Sequence, residues 1–207
     1  MTFHISTIRF HLLLFFSLLI FSGCSAAPKL PPIPADGVVL AFGDSITHGT
    51  GADQAESYPA VLAQLIGRKV VNAGVPGEVS AAGAARLPEL LRTERPALLI
   101  LCHGGNDLLQ HLGRGEIAAN LRTMVKAAQD RGVSVVLVGV PEPGLSLSPP
   151  SLYGEVAKEC SIPYDGRTLP RILGKGSLKS DYIHPNAAGY RQLAEALAKL
   201  LKKAGAV

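Results

Sequence analysis

The sequence predicts an α/β fold in which a parallel sheet is covered by helices on both faces, and three observations carry that expectation. Short continuous apolar runs alternate with segments of helical period from about residue 38 to residue 203, the pattern of strands buried on both sides and linked by crossover helices. The roughly 170 residues available there suffice for one core that buries about 70% of the unfolded surface. Composition agrees: 47% apolar and 17% charged residues, with 22 glycines and 15 prolines spread along 207 positions, exclude disordered, collagenous and coiled-coil chains. Aromatic residues make up 5% with no Trp, and the net charge of +4 is not gathered into a Lys/Arg block, so no nucleic-acid partner is expected.

In chain order, the first feature is the run LLLFFSLLIF at 12–21, apolar except for Ser17 and preceded by Arg9. It is shorter than the roughly 20 residues a membrane-spanning helix needs and is followed by small Ser22 and Gly23. Residues 1–23 therefore read as an export signal. The run Phe21-Ser-Gly-Cys24 resembles the bacterial lipoprotein box, with Phe where leucine is usual. That resemblance implies a lipid-modified Cys24 at the mature N-terminus and a membrane partner through the lipid anchor. Ser25 lacks the Asp-type retention signal, so the expected location is the bacterial cell envelope, at the outer membrane of a two-membrane cell; ordinary secretion is the alternative. Residues 24–36, with four prolines after position 26, read as a tether, which leaves 37–207 as the folded domain.

Strands are expected at 38–42, 69–72, 97–102 and 133–140. A helix over 58–66 ends at Gly67, and one over 116–131 places Ile117, Leu121, Met124 or Val125, and Ala128 on one stripe before Gly132. A last helix over 187–203 repeats the period with Leu193, Leu197 and Leu200. Ligands of such open sheets sit beyond the carboxyl ends of the strands, which directs attention to the residues just after each run.

Gly43-Asp-Ser-Ile-Thr47 comes after the first strand, Asn72-Ala-Gly-Val-Pro-Gly77 after the second and His103-Gly-Gly-Asn-Asp107 after the third; Asp181-Tyr-Ile-His184-Pro-Asn186 precedes the last helix. Together they hold a hydroxyl nucleophile, a carboxylate and an imidazole separated by two residues, glycines that allow backbone N–H groups near a ligand, and a carboxamide donor. These are the parts acyl transfer needs. The Asp181 to His184 spacing lets one turn put both side chains on one side, and Pro185 disfavours helix at His184, so the imidazole is offered just before the helix starts near Asn186. Gly-x-Ser-x-Gly is absent because position 47 is Thr, which disfavours an α/β-hydrolase elbow.

These four blocks, in order from Val38 to about Leu200, resemble the GDSL-type esterases of the SGNH hydrolase superfamily, with Ile46 in place of the family's leucine. The resemblance implies a three-layer α/β/α, flavodoxin-like fold. It also implies a catalytic triad of Ser45, His184 and Asp181, and an oxyanion hole formed by the N–H groups of Ser45 and Gly74 and the side chain of Asn106. No cofactor and no metal are called for. The expected function is hydrolysis of aryl, acyl or thio esters through an acyl-enzyme. The alternatives are a carbohydrate O-acetyl esterase of the envelope and a catalytically silent ligand-binding lipoprotein.

Other polar residues receive plainer expectations. Asp44 and Asp107 are hydrogen-bond anchors of their loops, and Asn72 orders the second block. Gly104 and Gly105 keep the wall beside Asn106 thin. His48, His103 and His111 are expected in surface or loop roles, and a metal site from His103, Asp107 and His111 is disfavoured by the two glycines. Cys102 and Cys160 are expected as buried thiols. The segment 141–150, with Leu152 and Tyr153 beyond it, is expected as an irregular loop whose leucines line an acyl pocket, or alternatively cover the sheet. Nothing in the sequence fixes an oligomeric state.

Overall fold

A computed structural model describes residues 28–144 and 147–207; the export signal, Cys24 and Leu145 lie outside the described residues. Five parallel strands form one sheet: β1 (Val38–Gly43), β2 (Lys69–Gly74), β3 (Leu98–Cys102), β4 (Ser134–Val138) and β5 (Tyr164–Asp165). Their order is β2-β1-β3-β4-β5. The chain winds one way from β1 to β2 and the other way from β1 to β3, so the carboxyl ends of β1 and β3 form the switch point where ligands of doubly wound sheets bind.

The helices are α1 (Ser45–His48), α2 (Tyr58–Ile66), α3 (Ser80–Glu94), α4 (Gly105–Leu109), α5 (Arg114–Gln129), α6 (Ser151–Glu159), α7 (Thr168–Leu173) and α8 (Ala187–Ala204). On one side α2 and α7 pack against α8; on the other α3, α5 and α6 pack in series. The central strands carry no polar face. Every residue of β3 is buried, as are the last five of β1. The apolar runs seen in the sequence are thus strands enclosed on both sides.

The stripe of α5 buries Ile117, Leu121, Met124, Val125 and Ala128 as its period requires, with Ala118 added. In α8 the stripe continues through Leu201 rather than Leu200: Leu193, Leu197 and Leu201 keep the four-residue step, flanked by Tyr190 and Ala194. Between β2 and β3, α3 has no counterpart in the apolar reading because it buries small residues, Ser80 and Gly83, before Leu87 and Leu91, and carries Pro88 inside. Leu152 and Tyr153 belong to helix α6 and face the core. Cys102 is buried and Cys160 only half-buried, which corrects the expectation for the latter; both are free thiols.

The proline-rich stretch expected as a tether is, from residue 28 on, laid along the domain. Leu30 N–H donates to the Ala204 carbonyl at 2.9 Å, Ile33 N–H to that of Ala206 at 2.8 Å, and Ile33 is buried. Prolines without N–H donors stand between and after the two residues whose N–H groups are used, so the segment docks without being a strand. Among the described residues no helix is long and apolar enough to cross a membrane.

The largest fully buried side chains include Tyr58, Tyr153 and Tyr190. Each ring fills core volume while its hydroxyl reaches the chain just beyond a strand: Tyr58 to Thr47 Oγ1 in α1 at 3.1 Å, Tyr153 to the His103 carbonyl at 2.9 Å, and Tyr190 to the Thr50 carbonyl at 2.7 Å. Packing and loop placement are thereby one event.

Gly43, the last residue of β1, shows how tight this arrangement is. A Cβ there falls 1.9 Å from the Cys102 carbonyl oxygen, and backbone cannot yield as a side-chain tip can. Gly43→Ala is expected to cost on the order of 3 kcal/mol, lowering the melting temperature by about 6–12 °C. An unshifted melt, followed by circular dichroism, would contradict the close approach of β1 and β3.

Candidate active site

At the end of β1 the chain turns sharply into α1, and the turn is built around Asp44. Its buried side chain caps α1, accepting from Ile46 N–H at 3.1 Å and also from Gly105 N–H. Burial pushes this carboxyl above its ordinary value, against the favourable influence of His103 and the two backbone donors. Ser45 is the first residue of α1, where helical N–H groups have no partner within the helix. The short helix stops at Gly49, which has φ +101°, so the serine stands on a compact projection at the switch point.

Ser45 Oγ lies 2.9 Å from His184 Nε2, and His184 Nδ1 lies 2.8 Å from Asp181 Oδ2. The other carboxylate oxygen accepts from Ile183 N–H at 2.8 Å and His184 N–H at 2.9 Å. Partial burial raises the Asp181 carboxyl, but the bonds from His184 and the two backbone N–H groups outweigh it and hold the group below its ordinary value. With an ionised partner at Nδ1, that nitrogen carries the proton and Nε2 is left to accept from the serine. Asn186 caps α8, its side chain accepting from Gly189 N–H at 3.1 Å. The helix therefore begins after Pro185, as the sequence requires.

Asn106 stands near the start of α4 and shares one cleft with Ser45 and His184. Its Nδ2 donates to the Glu78 carbonyl at 2.9 Å, which settles the orientation of the carboxamide because only the NH2 end can face a carbonyl. The remaining N–H is available to an oxyanion. Gly105 faces the Asp44 carboxylate, and Gly104, with φ +99°, faces the Tyr153 hydroxyl. Gly105 lines the cleft beside Asn106, as a thin wall requires, whereas Gly104 is held to glycine by its positive φ and the Tyr153 hydroxyl.

Gly74 is engaged by its own block: its N–H donates to Asn72 Oδ1 at 3.0 Å, and a Cβ there would meet the α1 backbone, 2.1 Å from His48 N. Its smallness serves the packing of β2 under α1. Asn72 does order the second block, and its Nδ2 also reaches the His48 carbonyl at 3.2 Å. Later in the same block, Gly77 has φ +80° and open space where a Cβ would stand. It occupies the third position of the turn closed by Glu78 N–H on the Val75 carbonyl. Gly after Pro76 is the sequence signal for such a turn.

Asp107 reaches beyond its own loop, accepting from Ser80 N–H and Oγ at the start of α3. His103 is fully buried rather than at the surface: Nδ1 accepts from Gly104 N–H at 2.9 Å and Nε2 lies 3.1 Å from Glu78 Oε2. Both residues are thus committed away from His111, which is exposed. Glu78 and Arg86 were not singled out by sequence reasoning. Arg86 grips the carboxylate through Nε at 2.8 Å and a terminal nitrogen at 2.7 Å, and lies 4.3 Å over the Phe42 ring.

From Ser45 the cleft runs over apolar ground: Ile46, Leu109, Val140, Pro141, Leu147 and Leu173. In the described part of the 141–150 segment, Leu147 reaches this wall. Tyr182, 88% exposed, stands at the mouth, between Asp181 and His184 in sequence.

A family model described as the GDSL-like lipase/acylhydrolase family matches residues 41–192. The esterase TesA of Pseudomonas aeruginosa is 34% identical over 199 residues, covering 89% of this chain and 97% of that protein. A crystal structure of TesA superposes with a TM-score of 0.74 at 32% identity, covering 81% of this chain and 99% of the other. Thioesterase 1/protease 1/lysophospholipase L1 of Escherichia coli is 28% identical over 206 residues, covering 94% of this chain and 93% of that one.

The electrostatics of Glu78 make a measurable demand. Burial raises its carboxyl, but hydrogen bonds from His103 and Arg86 prevail and lower it from 4.5 to about 2. Stability from this group is present above the unfolded value and lost as pH falls from 4.5 toward 2. Urea unfolding of the native chain should weaken across that window, and Glu78→Gln should be less stable at neutral pH with a shallower acid slope. An identical slope in the variant would show that the carboxylate is not held this way.

Proposed function

The chain belongs to the GDSL-like lipase/acylhydrolase family and is a carboxylic ester hydrolase, and we propose that Ser45, His184 and Asp181 carry out the hydrolysis on esters with an apolar acyl group. The continuous bond path from Asp181 through His184 to Ser45 supports this reading most directly. Ser45 Oγ attacks the ester carbonyl while His184 Nε2 takes its proton, and Asp181 stabilises the imidazolium. The oxyanion receives the free Asn106 N–H and the Ser45 N–H. For the second backbone donor the turn at Gly77 is the better candidate than Gly74, because Gly77 adjoins the Glu78 carbonyl that holds Asn106. His184 then protonates the leaving oxygen or sulfur, and water activated by the same imidazole releases the acid.

The apolar wall from Ile46 to Leu173 favours acyl chains over an acetylated sugar, which needs polar side chains for its hydroxyls. Aryl esters, acyl thioesters and lysophospholipids all present such a chain. The discriminating experiment is a p-nitrophenyl ester series from acetyl to palmitoyl on the full chain and its variants. Longer acyl groups should be preferred, and Ser45→Ala and His184→Ala should each lower kcat by about a thousandfold or more. Asn106→Ala should lower kcat about a hundred- to a thousandfold with little change in KM. A preference for acetyl alone would transfer the assignment to the O-acetyl esterases, and a native chain that hydrolyses nothing would leave a binding protein.

For location we propose the bacterial cell envelope, with the chain anchored through lipid on Cys24 and the outer membrane as destination. The support is the sequence Phe21-Ser-Gly-Cys24 after an apolar run and the stable attachment that more than one acyl chain provides. Fractionation is expected to place the native protein with membranes and Cys24→Ala in the soluble fraction. Native protein found wholly soluble, or a Cys24→Ala variant that remains membrane-bound, would overturn the anchor in favour of secretion or an uncleaved signal.

A further inference from the structure

We propose that Glu78 is a positioning residue for hydrolysis: its buried side chain, clamped between Arg86 and His103, fixes the direction in which Asn106 presents its amide to the oxyanion. The inference rests on the assignment of Asn106 to the oxyanion hole.

A carboxamide has two N–H groups in one plane. One of those on Asn106 is engaged by the Glu78 carbonyl at 2.9 Å, so the position of that carbonyl sets the plane of the carboxamide and hence the direction of the other N–H. A carbonyl in a loop is only as steady as the residue that bears it. Glu78 closes the Pro76-Gly77 turn, and its side chain, 8% exposed, is held from two directions.

From α3, Arg86 binds the carboxylate with two parallel bonds at 2.8 and 2.7 Å. Arg86 is itself seated, donating to the Ala73 carbonyl at 3.0 Å and lying over the Phe42 ring. From the end of β3, His103 approaches with Nε2 at 3.1 Å. Because His103 Nδ1 accepts from Gly104 N–H, that nitrogen bears no proton, and Nε2 is the donor to Glu78. The ring fits against α3 only because position 83 is glycine: a Cβ there would fall 2.3 Å from His103 Nε2.

Glu78 is therefore joined to the third block twice, by side chain to His103 and by main chain to Asn106. None of Glu78, Arg86 and His103 lines the cleft, so their contribution to the reaction passes through what the Glu78 backbone holds: Asn106 at its carbonyl and the turn at Gly77. An oxyanion donor has to be aimed at the tetrahedral intermediate rather than at the ground state, and a small misalignment is expected to appear in kcat rather than in KM.

The test is a double-mutant cycle on p-nitrophenyl ester hydrolysis by the full chain. Glu78→Gln keeps volume but weakens both charged bonds; it should lower kcat about tenfold with KM within about twofold. In the Asn106→Ala background the same substitution should lose most of that effect, changing kcat by less than about threefold, since the turn at Gly77 is then its one remaining route. Arg86→Lys, which keeps the charge but loses the paired donors, should show the same non-additivity and serves if Glu78→Gln does not fold. Equal factors in both backgrounds, a change in KM alone, or an unchanged kcat would overturn the proposal. If Asn106→Ala itself leaves kcat intact, the oxyanion assignment fails instead.

Discussion

A carboxylate removed from water needs donors for its lone pairs, and Asp44 finds them at the starts of two helices far apart in sequence, at Ile46 N–H of α1 and Gly105 N–H of α4. The first bond shapes the turn that exposes Ser45; the second draws the start of α4, and with it Asn106, to the same place. Leaving either donor unmatched in the interior would cost roughly 1–3 kcal/mol. Ser45 and Asn106 are therefore not placed separately: one buried acidic side chain, held where its charge is disfavoured, ties together the segments that carry them.

Around that bond the parallel sheet does the coarse positioning. Its order brings the ends of β1, β2 and β3 side by side, and three buried tyrosines convert close packing into loop geometry by directing their hydroxyls to Thr47, Thr50 and His103. The imidazole arrives from the far end of the chain, ahead of α8. The Ser45–His184 bond joins residues 139 positions apart, so this pair exists only when α8 has docked.

How much of this could be read from the sequence depended on the range of the interaction. Strands buried on both faces announce themselves as apolar runs, and a carboxylate three residues before an imidazole and a proline is a local geometric statement, so β1 to β4, Ser45, Asp181 and His184 were legible. Helix α3 was not, because the first half of its buried face is serine and glycine and only Leu87 and Leu91 in the second half are large and apolar. His103 appears in the sequence as a polar residue after a strand, and only its pairing with Glu78, 25 residues earlier, explains its burial. The second block offered two glycines. Spacing alone did not separate Gly74, which is small because α1 lies on it, from Gly77, which ends a Pro-Gly turn beside Asn106.

The docked segment at the N-terminus governs how the molecule can be presented. Lys29 and Leu30 are bound to the carbonyls of Lys203 and Ala204 at the end of α8, whereas the start of α8 adjoins His184. An 18-residue helix spans about 27 Å. Whatever precedes residue 28 is consequently attached at the base of the domain, with Ser45 at the opposite pole. A chain held by that end carries its cleft at the pole farthest from the point of attachment.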